Sequence, residues 1–540
     1  MSAVAAGPRH RPLLGSLRAA YLACVIVFGW AVWQFYEPAT GFTSLISIGD
    51  EINNRQMTKL RRVPHYVYED SAGYDGAYYV QIAIYPTLLN PRLATAIDNL
   101  PYRARRILFC WVAWAAGLDQ PAWIVQAFAL VNVVSWFGLA WVLLRWFPAT
   151  SWGNFFRWFC VMFSHGVCMS VRNSLVDAPA LLLVALALAA WEEGRKGRAT
   201  VLLGLAGLGR ETSLLAATAL APGKLRDRSG WRRFVGMGVA AALPLVLWMI
   251  FLRWKLGPPQ ETGLNNFAPP LAGLAEKWGV TFASRAELND QTLWWATLAM
   301  TAGLTAQALF FAVRWRPKEI WWRVGATFMV LMLFLAQPVW EGYPGAAGRV
   351  LLPMTLAFNI LVPRGRRWLA VLLAGNLTVV AGFKEFTPPR EFFTVSAPRE
   401  LLSEVRVVRT GGWYGSEDSG GLRWRWSSGK DRPGLRIVND SGAPLTIVCE
   451  GQVASALDER RLRISAGSAA APRTNDAMVW SGELRAQAEK FQFGLTVPPG
   501  ATLVSFATDK PGHVVGNDPR IMAFKVLNVS IVVKPAAESP

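Results

Sequence analysis

Long apolar runs fill most of the first 385 residues, and polar residues interrupt them only in short stretches. A helix needs roughly 20 apolar residues to cross the hydrocarbon of a bilayer, which is about 30 Å thick. The stretches that come close to this length are 18–35, 121–145, 154–171, 176–193, 233–253, 292–314, 320–337, 348–363 and 366–383. The pattern predicts a multi-pass α-helical membrane protein.

The stretch 199–221 is also apolar, but Gly209, Arg210 and Glu211 break it in the middle. Short loops rich in Lys and Arg stay in the cytoplasm. Such loops are GRKGR at 194–198, KLRDR at 224–228, RWRPK at 314–318 and PRGRR at 363–367. Both flanks of 199–221 are therefore expected in the cytoplasm, so this stretch either crosses twice in short pieces or dips into the membrane and returns. An Arg–Glu pair at the tip of such a hairpin implies a polar cavity around it.

The apolar segment 106–117 is too short to span, and we predict that it lies along the outer interface as an amphipathic helix. With that placement, nine crossings start inside and end outside. Two large regions then face the exterior, namely the first loop, 36–105, and the chain after Lys384. The predicted membrane module is 1–385.

The pattern changes after this module to short runs of alternating apolar and polar residues, separated by Gly, Pro, Asn and Asp. Examples are GLRIVND, PLTIVCEG, FQFGLTVPPG, ATLVSFATD and AFKVLNVSIVV. Repeated short strands with turn signals are typical of an all-β sandwich. We therefore predict a C-terminal sandwich domain at 401–540. The proline-containing segment 386–400 is predicted to be a linker.

Composition supports the membrane assignment. The chain is 53% hydrophobic and only 17% charged, whereas soluble domains carry about 25% charged residues. Its net charge of +19 would suit a nucleic-acid binder. However, the region from Phe386 onward has 19 basic and 16 acidic residues, which leaves 36 basic and 20 acidic residues in the hydrophobic part. Basic residues that flank membrane spans explain this excess, so nucleic acid is not expected as a partner.

The first exterior loop contains the best candidate for chemistry, in YEDSAGYDGAYYVQIAIYP at 68–86. Asp75 lies between Tyr74 and Gly76, and this pattern predicts a tight turn that opens a helix carrying Tyr78. A carboxylate held on such a turn is well placed to act as a general base. The alternative is that Asp75 only caps the helix.

Several motifs together resemble the GT-C superfamily of membrane glycosyltransferases, and most of all bacterial proteins similar to the mannosyltransferases of the glycosylphosphatidylinositol pathway. They are YDGAYY at 74–79, PYRARRIL at 101–108, the Arg-Glu-Thr tip at 210–212 and an arginine, Arg349, in a late exterior loop. The resemblance covers about 40–385. The sandwich more loosely resembles C-terminal domains of some bacterial glycosyltransferases.

The resemblance implies a donor sugar joined through phosphate to a polyprenyl lipid, used at the exterior face with inversion at the anomeric carbon. It implies that Asp75 is the catalytic base and that Glu69 and Asp70 bind substrate or a divalent metal such as Mg or Mn. A solvated loop is the alternative for these two acids.

We expect Arg210 and Arg349 to bind the lipid phosphate, because one guanidinium can hold two phosphate oxygens at once. An internal salt bridge is the alternative for Arg210, and snorkelling to the interface is the alternative for Arg349. Asp177 and Glu211 are expected in the same cavity, although Asp177 could instead cap a helix. The arginines at 103, 105 and 106 are expected to bind lipid headgroups.

The predicted activity is transfer of a hexosyl, mannosyl or related sugar to a glycan or lipid acceptor of the cell envelope, in the bacterial inner membrane, with a periplasmic C-terminal domain. Two other functions remain open. One is a transporter or flippase of lipid-linked sugar. The other is a membrane anchor that displays a carbohydrate-binding sandwich, with an aromatic platform formed by Trp413, Tyr414, Trp424 and Trp426.

Overall fold

The computed structural model divides the chain into two compact units. One comprises residues 1–36 and 42–387, and the other 37–41 and 388–540. The residues that the structure describes are 11–37, 40–49, 56–68, 71–224, 226–257, 263–285, 291–389, 392–398, 400–401, 404–415, 417–419, 422–427, 432–469, 476–516 and 518–535.

The first unit is helical. Its α-helices are Arg11–Trp33, Thr58–Arg61, Gly76–Ile84, Leu93–Ala96, Leu100–Arg103, Leu108–Ala116, Pro121–Val142, Trp152–Met162, His165–Arg172, Asp177–Glu192, Lys196–Gly209, Arg228–Leu256, Ala272–Ala283, Gln291–Val313, Ile320–Phe334, Gln337–Trp340, Ala347–Val350, Leu352–Leu361, Leu369–Gly375 and Thr378–Gly382. Its 3-10 helices are Thr43–Ile46, Leu143–Arg145, Glu211–Leu220, Leu264–Asn266, Arg366–Trp368 and Phe383–Phe386.

Four helical stretches among the described residues are long and apolar enough to cross a membrane. They are Gly15–Trp33, Pro121–Arg145, Arg228–Leu256 and Gln291–Val313. The third exposes large apolar side chains, including Ile250 at 60% and Trp254 at 79%. Lipid rather than water is the favourable surrounding for such a surface.

Most of the other predicted spans are shorter or broken, which corrects the expectation of nine continuous crossings. The stretch 154–171 divides at Phe163 and Ser164, where the Ser164 hydroxyl donates to the Val161 carbonyl at 2.9 Å. The stretch 366–383 divides near Asn376, whose side-chain amide exchanges two hydrogen bonds of 2.9 Å with that of Asn359. Polar side chains that bond inside the helical unit can compensate for backbone groups freed at such breaks.

The region predicted to be the first exterior loop is not loosely packed. Its apolar side chains from 46–107 form one core with residues of neighbouring helices such as Phe128 and Leu245, and Ile46, Tyr79, Val80 and Ile107 are at most 1% exposed in it. The segment 106–117 contains the helix Leu108–Ala116, which buries Phe109, Cys110 and Ala113; its position at a membrane interface stays a prediction. This packing gives the polar residues of the region fixed positions.

The second unit is rich in β-strands: β1 Phe393–Ser396, β2 Val405–Arg409, β3 Glu417–Ser419, β4 Leu422–Trp426, β5 Gly434–Asn439, β6 Leu445–Ser455, β7 Arg460–Ser468, β8 Ala477–Leu484, β9 Glu489–Val497, β10 Gly500–Thr508, β11 His513–Val515, β12 Asp518–Met522 and β13 Phe524–Pro535. One sheet has the order β3-β4-β13-β6-β9, the second β2-β5-β10-β7-β8, and β11 pairs with β12. Buried side chains from the two larger sheets form one core, as in a sandwich.

Part of the segment predicted to be a linker is a strand of this unit. β1 pairs in parallel with β13, with Phe393 opposite Val529. The prediction missed it because Pro residues on both sides gave turn signals, while a strand of only four residues leaves little alternation to detect.

Candidate functional site

Asp75 immediately precedes the helix Gly76–Ile84, as the sequence predicts, but its side chain makes no capping hydrogen bond. Its carboxylate instead forms an ion pair with the Arg103 guanidinium at 2.8 Å and lies 3.8 Å from the Arg349 guanidinium. The turn is tightly packed, because a Cβ added at Gly76 would lie 2.3 Å from the Asn173 carbonyl oxygen. Only glycine fits this close approach of backbones, and it fixes where the Asp75 carboxylate points.

Arg103 connects Asp75 to the surface of the unit. It is the last residue of the short helix Leu100–Arg103, whose start is capped by the Asn99 side chain. Its guanidinium also forms two hydrogen bonds to Asp98, of 3.1 and 2.7 Å, and lies 5.1 Å from the centre of the Tyr78 ring. Arg103 is thus held by two carboxylates and an aromatic face.

Arg106, three residues after Arg103 and beyond the end of its helix, makes a second and separate pair. It donates two hydrogen bonds to Glu211, of 2.9 and 2.8 Å, and one to the Tyr79 hydroxyl at 3.0 Å. A fourth, of 3.1 Å, goes to the Tyr102 hydroxyl. This two-pronged contact ties the first exterior region to the broken hairpin.

Asp177 lies at the start of the helix Asp177–Glu192 and is almost fully buried. Its carboxylate contacts two guanidiniums, those of Arg210 and Arg349, the latter at 3.2 Å. Arg349 also donates to the Tyr74 hydroxyl at 3.0 Å. Asp177 therefore forms ion pairs with these two arginines and does not cap its helix.

These contacts form a chain of alternating charge, in the order Arg210, Asp177, Arg349, Asp75, Arg103 and Asp98. With the Arg106–Glu211 pair and the 40% exposed Asp98 included, four arginines meet four carboxylates here, so the charges of the cluster balance. The buried Nε–H of Arg349 has no hydrogen-bond partner among the described residues. A buried donor without a partner favours a ligand oxygen, and a guanidinium prefers an anionic one.

The carboxyl of Asp75 has a lowered pKa. Burial alone would raise this pKa, but the positive charges of Arg103, Arg349 and Arg106 outweigh burial. Asp75 is therefore an ionised carboxylate at neutral pH and can accept a proton.

The structure brings most of the predicted site residues together. Those in the charged cluster are Asp75, Asp177, Arg210, Glu211 and Arg349, and Tyr78 lies against Arg103. Glu69 and Asp70 lie outside the described residues. No group of three or more His, Cys, Asp or Glu side chains suited to a metal occurs in the described part of the chain.

Sequence reasoning missed the roles of Arg103 and Arg106, which it assigned to lipid headgroups. Both side chains point into the unit and pair with carboxylates. Helical spacing gave no signal for this pair, because the helix Leu100–Arg103 ends before Arg106. Tyr74, Tyr79 and Tyr102 were missed as the hydroxyl partners of the arginines.

The aromatic residues proposed as a sugar platform in the second unit do not act as a set. Trp413 is 4% exposed and packs against Phe506 and Phe524 in the sandwich core. Trp424 and Trp426 instead flank the ammonium of Lys525, at 4.9 and 5.2 Å. A platform that includes Trp413 is therefore wrong, because that side chain is not accessible.

No family model matches the chain, and no curated protein matches its sequence. Among solved structures, it is similar to the arabinosyltransferase EmbB from Mycobacterium smegmatis, at 9% sequence identity and a TM-score of 0.33. The alignment covers 98% of this chain and 65% of EmbB, so the chain spans less than two thirds of that protein. A likeness this distant assigns neither a family nor an activity.

Proposed function

We propose that this chain is a membrane glycosyltransferase of GT-C type, which transfers a hexosyl, mannosyl or related sugar from a polyprenyl-phosphate donor to a glycan or lipid acceptor of the cell envelope. The observation that carries the proposal is the cluster in which Arg103, Arg210 and Arg349 contact Asp75 and Asp177, with the Arg106–Glu211 pair beside it. It combines an ionised carboxylate with cations, one of which has an unused donor. Transfer from a lipid phosphate needs these two functions.

In the proposed reaction, the acceptor hydroxyl attacks the anomeric carbon of the donor from the side opposite the phosphate. The bond between that carbon and the phosphate oxygen breaks, and its electron pair leaves with the polyprenyl phosphate. The hydroxyl proton passes to the Asp75 carboxylate. A single displacement of this kind inverts the anomeric configuration.

Arg349 and Arg210 hold the phosphate in this proposal. Arg349 already contacts the carboxylates of Asp177 and Asp75, at 3.2 and 3.8 Å. A donor phosphate that replaces these two contacts keeps the positive charge of Arg349 paired with a negative charge. The longer contact, to Asp75, is the weaker one. When the phosphate takes Arg349, Asp75 loses one cation and its basicity rises.

The proposed location is the bacterial inner membrane, with the reaction at the exterior leaflet and the β-rich unit in the periplasm. The four long apolar helices and the basic short loops support this placement. A Mg or Mn ion held by Glu69 and Asp70 stays a prediction of the sequence, and the steps above use only the described side chains.

The test is sugar transfer by the purified full-length protein in detergent, from synthetic short-chain polyprenyl-phosphate sugars to membrane extract of a strain that lacks the gene. We expect Asp75→Asn to lower turnover on the order of a hundredfold or more, because it removes the proton acceptor and keeps the shape. Asp98→Asn is the matched control, since Asp98 binds the same arginine at the exposed end of the cluster. Near-normal transfer by Asp75→Asn would exclude Asp75 as the base.

Arg349 tests the phosphate assignment in the same assay. Arg349→Ala should weaken donor affinity about ten- to a hundredfold, and Arg349→Lys should recover only part of it, because an ammonium cannot form the two-pronged contact. Unchanged donor affinity in both variants would defeat the assignment. Movement of the intact donor across vesicle membranes, with no transfer from any donor, would instead favour the flippase.

A further inference from the structure

A cavity of about 350 Å³ lies in the helical unit, lined by other residues than those of the charged cluster. It lies between the helix Ala272–Ala283 and the segment that begins at Gln337. The lining residues that matter for ligand binding are Glu276, Lys277, Trp340, Glu341 and Tyr343. A volume of this size is at the lower end of the range for small-ligand sites.

Lys277 is the most unusual residue of this cavity, because it is 4% exposed and yet has no carboxylate partner among the described residues. Its ammonium donates one hydrogen bond, of 2.7 Å, to the Gly342 carbonyl and lies 5.5 Å from the centre of the Tyr343 ring. Burial lowers the pKa of Lys277 to about 8. An ammonium has three donors, so two remain for a ligand.

Trp340 supplies a further unused donor. Its side chain is 1% exposed, and its indole Nε1–H has no hydrogen-bond partner in the part of the chain that the structure describes. Leaving such a buried donor unpaired is energetically unfavourable. A ligand oxygen in the cavity would remove this cost.

Acceptors occupy the outer part of the cavity. Glu276 and Glu341 are both exposed, and the Tyr343 ring is 37% exposed beside them. Two carboxylates here disfavour an anionic ligand, and the buried ammonium of Lys277 disfavours an acyl chain. The remaining chemistry is a neutral molecule with many hydroxyl groups, since each hydroxyl both donates and accepts.

The cavity segment continues directly into the charged cluster. It closes on itself through a 3.1 Å hydrogen bond from the Ala346 N–H to the Val339 carbonyl. Gly342 and Gly345 have φ of 90° and 99°, which glycine adopts without strain. The next turn, Ala347–Val350, carries Arg349. A ligand of the cavity is therefore bound by the same short segment that presents the arginine proposed to hold the donor phosphate.

We propose that this cavity binds a neutral sugar ring of the acceptor glycan, with Lys277 and Trp340 donating to its oxygens and Glu276 and Glu341 accepting from its hydroxyls. The proposal rests on the proposed transferase function, because it assigns the acceptor to a place in the same unit.

The test is saturation-transfer NMR on the full-length protein in detergent, with methyl α-D-mannopyranoside and methyl α-arabinofuranoside as probes and D-glucuronate as the anionic comparison. The variants are Lys277→Met and Glu341→Gln, and the matched control is Lys318→Met, an exposed lysine of a short basic loop. Glu341 is exposed, so its variant keeps the fold even if the Lys277 variant does not.

We expect the neutral glycosides to bind the wild type and to bind each cavity variant about tenfold more weakly, with Lys318→Met unchanged, because one charge-assisted hydrogen bond is lost. In the transfer assay the cavity variants should raise the acceptor KM and leave donor affinity unchanged. No binding to the wild type, equal binding to all variants, or binding of glucuronate alone would overturn the inference.

The two proposals fail in different ways. Transfer with normal acceptor KM in both cavity variants overturns the cavity inference and leaves the transferase intact. Glycoside binding that depends on Lys277 and Glu341, without transfer from any donor, overturns the transferase and with it the acceptor role.

Discussion

Replacing Asp177 by Asn tests whether the buried arginines are held in place by a shared carboxylate. Asp177 contacts both Arg210 and Arg349, and its side chain is 1% exposed. The amide keeps the shape of the side chain and one acceptor oxygen but removes the negative charge. Arg349 would then keep Asp75, 3.8 Å away, as an acidic neighbour, whereas, of acidic groups, Arg210 would keep only the electrostatic interaction with Glu211.

The size of the effect follows from burial. Removing one partner of a buried ion pair costs about 3–5 kcal/mol. The lower end applies here, because Arg210 keeps a 3.1 Å hydrogen bond to Thr212 and Arg349 keeps one of 3.0 Å to Tyr74. A cost of about 3 kcal/mol corresponds to a fall in Tm of up to about 6 °C, since domains of 150–250 residues lose about 2–4 °C per kcal/mol and larger ones lose less.

The assay is thermal unfolding of the purified protein followed by far-UV circular dichroism, because the described helices all belong to the first unit. Asp98→Asn is the control, since an exposed ion pair contributes about 0–1 kcal/mol. Adding Arg210→Met to Asp177→Asn should recover part of the lost stability, because it removes a buried cation that has lost its carboxylate partner. Inorganic phosphate should raise the Tm of Asp177→Asn more than that of the wild type. A Tm for Asp177→Asn equal to that of Asp98→Asn would refute the reasoning.

Two other predictions concern the turn at Asp75. Gly76→Ala should lower the yield of folded protein and its activity, because the new Cβ would lie 2.3 Å from the Asn173 carbonyl oxygen. The control Gly29→Ala lies in a helix with open space around it and should behave as wild type. Size-exclusion profiles and transfer rates of both variants check this. Because the pKa of Asp75 is lowered in the folded state, its ionisation stabilises the fold above the unfolded pKa, near 3.9, and this contribution is lost as pH falls through the lower folded pKa. The acid limb that Asp75 imposes on kcat/KM, which reports the free enzyme, should accordingly lie below about pH 4. An Asp75-dependent limb of kcat/KM near neutral pH would contradict the ion pairing seen here.

The sequence predicted the division between helical and β-rich parts because each has its own hydrophobic period, which is a local property. It also located Asp75, since the turn and the glycine that follows it are adjacent in the chain. The sequence was less informative about which apolar stretches form one unbroken helix. Breaks such as the one near Asn376 depend on a polar partner, Asn359, seventeen residues earlier, and hydropathy does not report such a contact.

Pairing inside the cluster was beyond the sequence for the same reason. Arg106 and Glu211 are separated by 105 positions, and Arg349 and Asp177 by 172. An arginine at a membrane boundary has a plausible local partner in lipid headgroups, so composition favoured that assignment for Arg103 and Arg106. Only the folded first region, which buries Tyr79 beside Arg106, turns these side chains inward.

The break in the hairpin at 199–221 directs the side chains of Arg210 and Glu211 to different partners. Arg210 has φ −155° and ψ 118°, an extended conformation between the helix Lys196–Gly209 and the 3-10 helix that begins at Glu211. Neighbouring side chains on extended backbone point to opposite sides. Arg210 therefore reaches Asp177, while Glu211 reaches Arg106, and the two neighbours do not pair with each other. A continuous helix would not separate them in this way. The break thus allows one hairpin tip to contact both Asp177 and Arg106 of the PYRARRIL segment at 101–108.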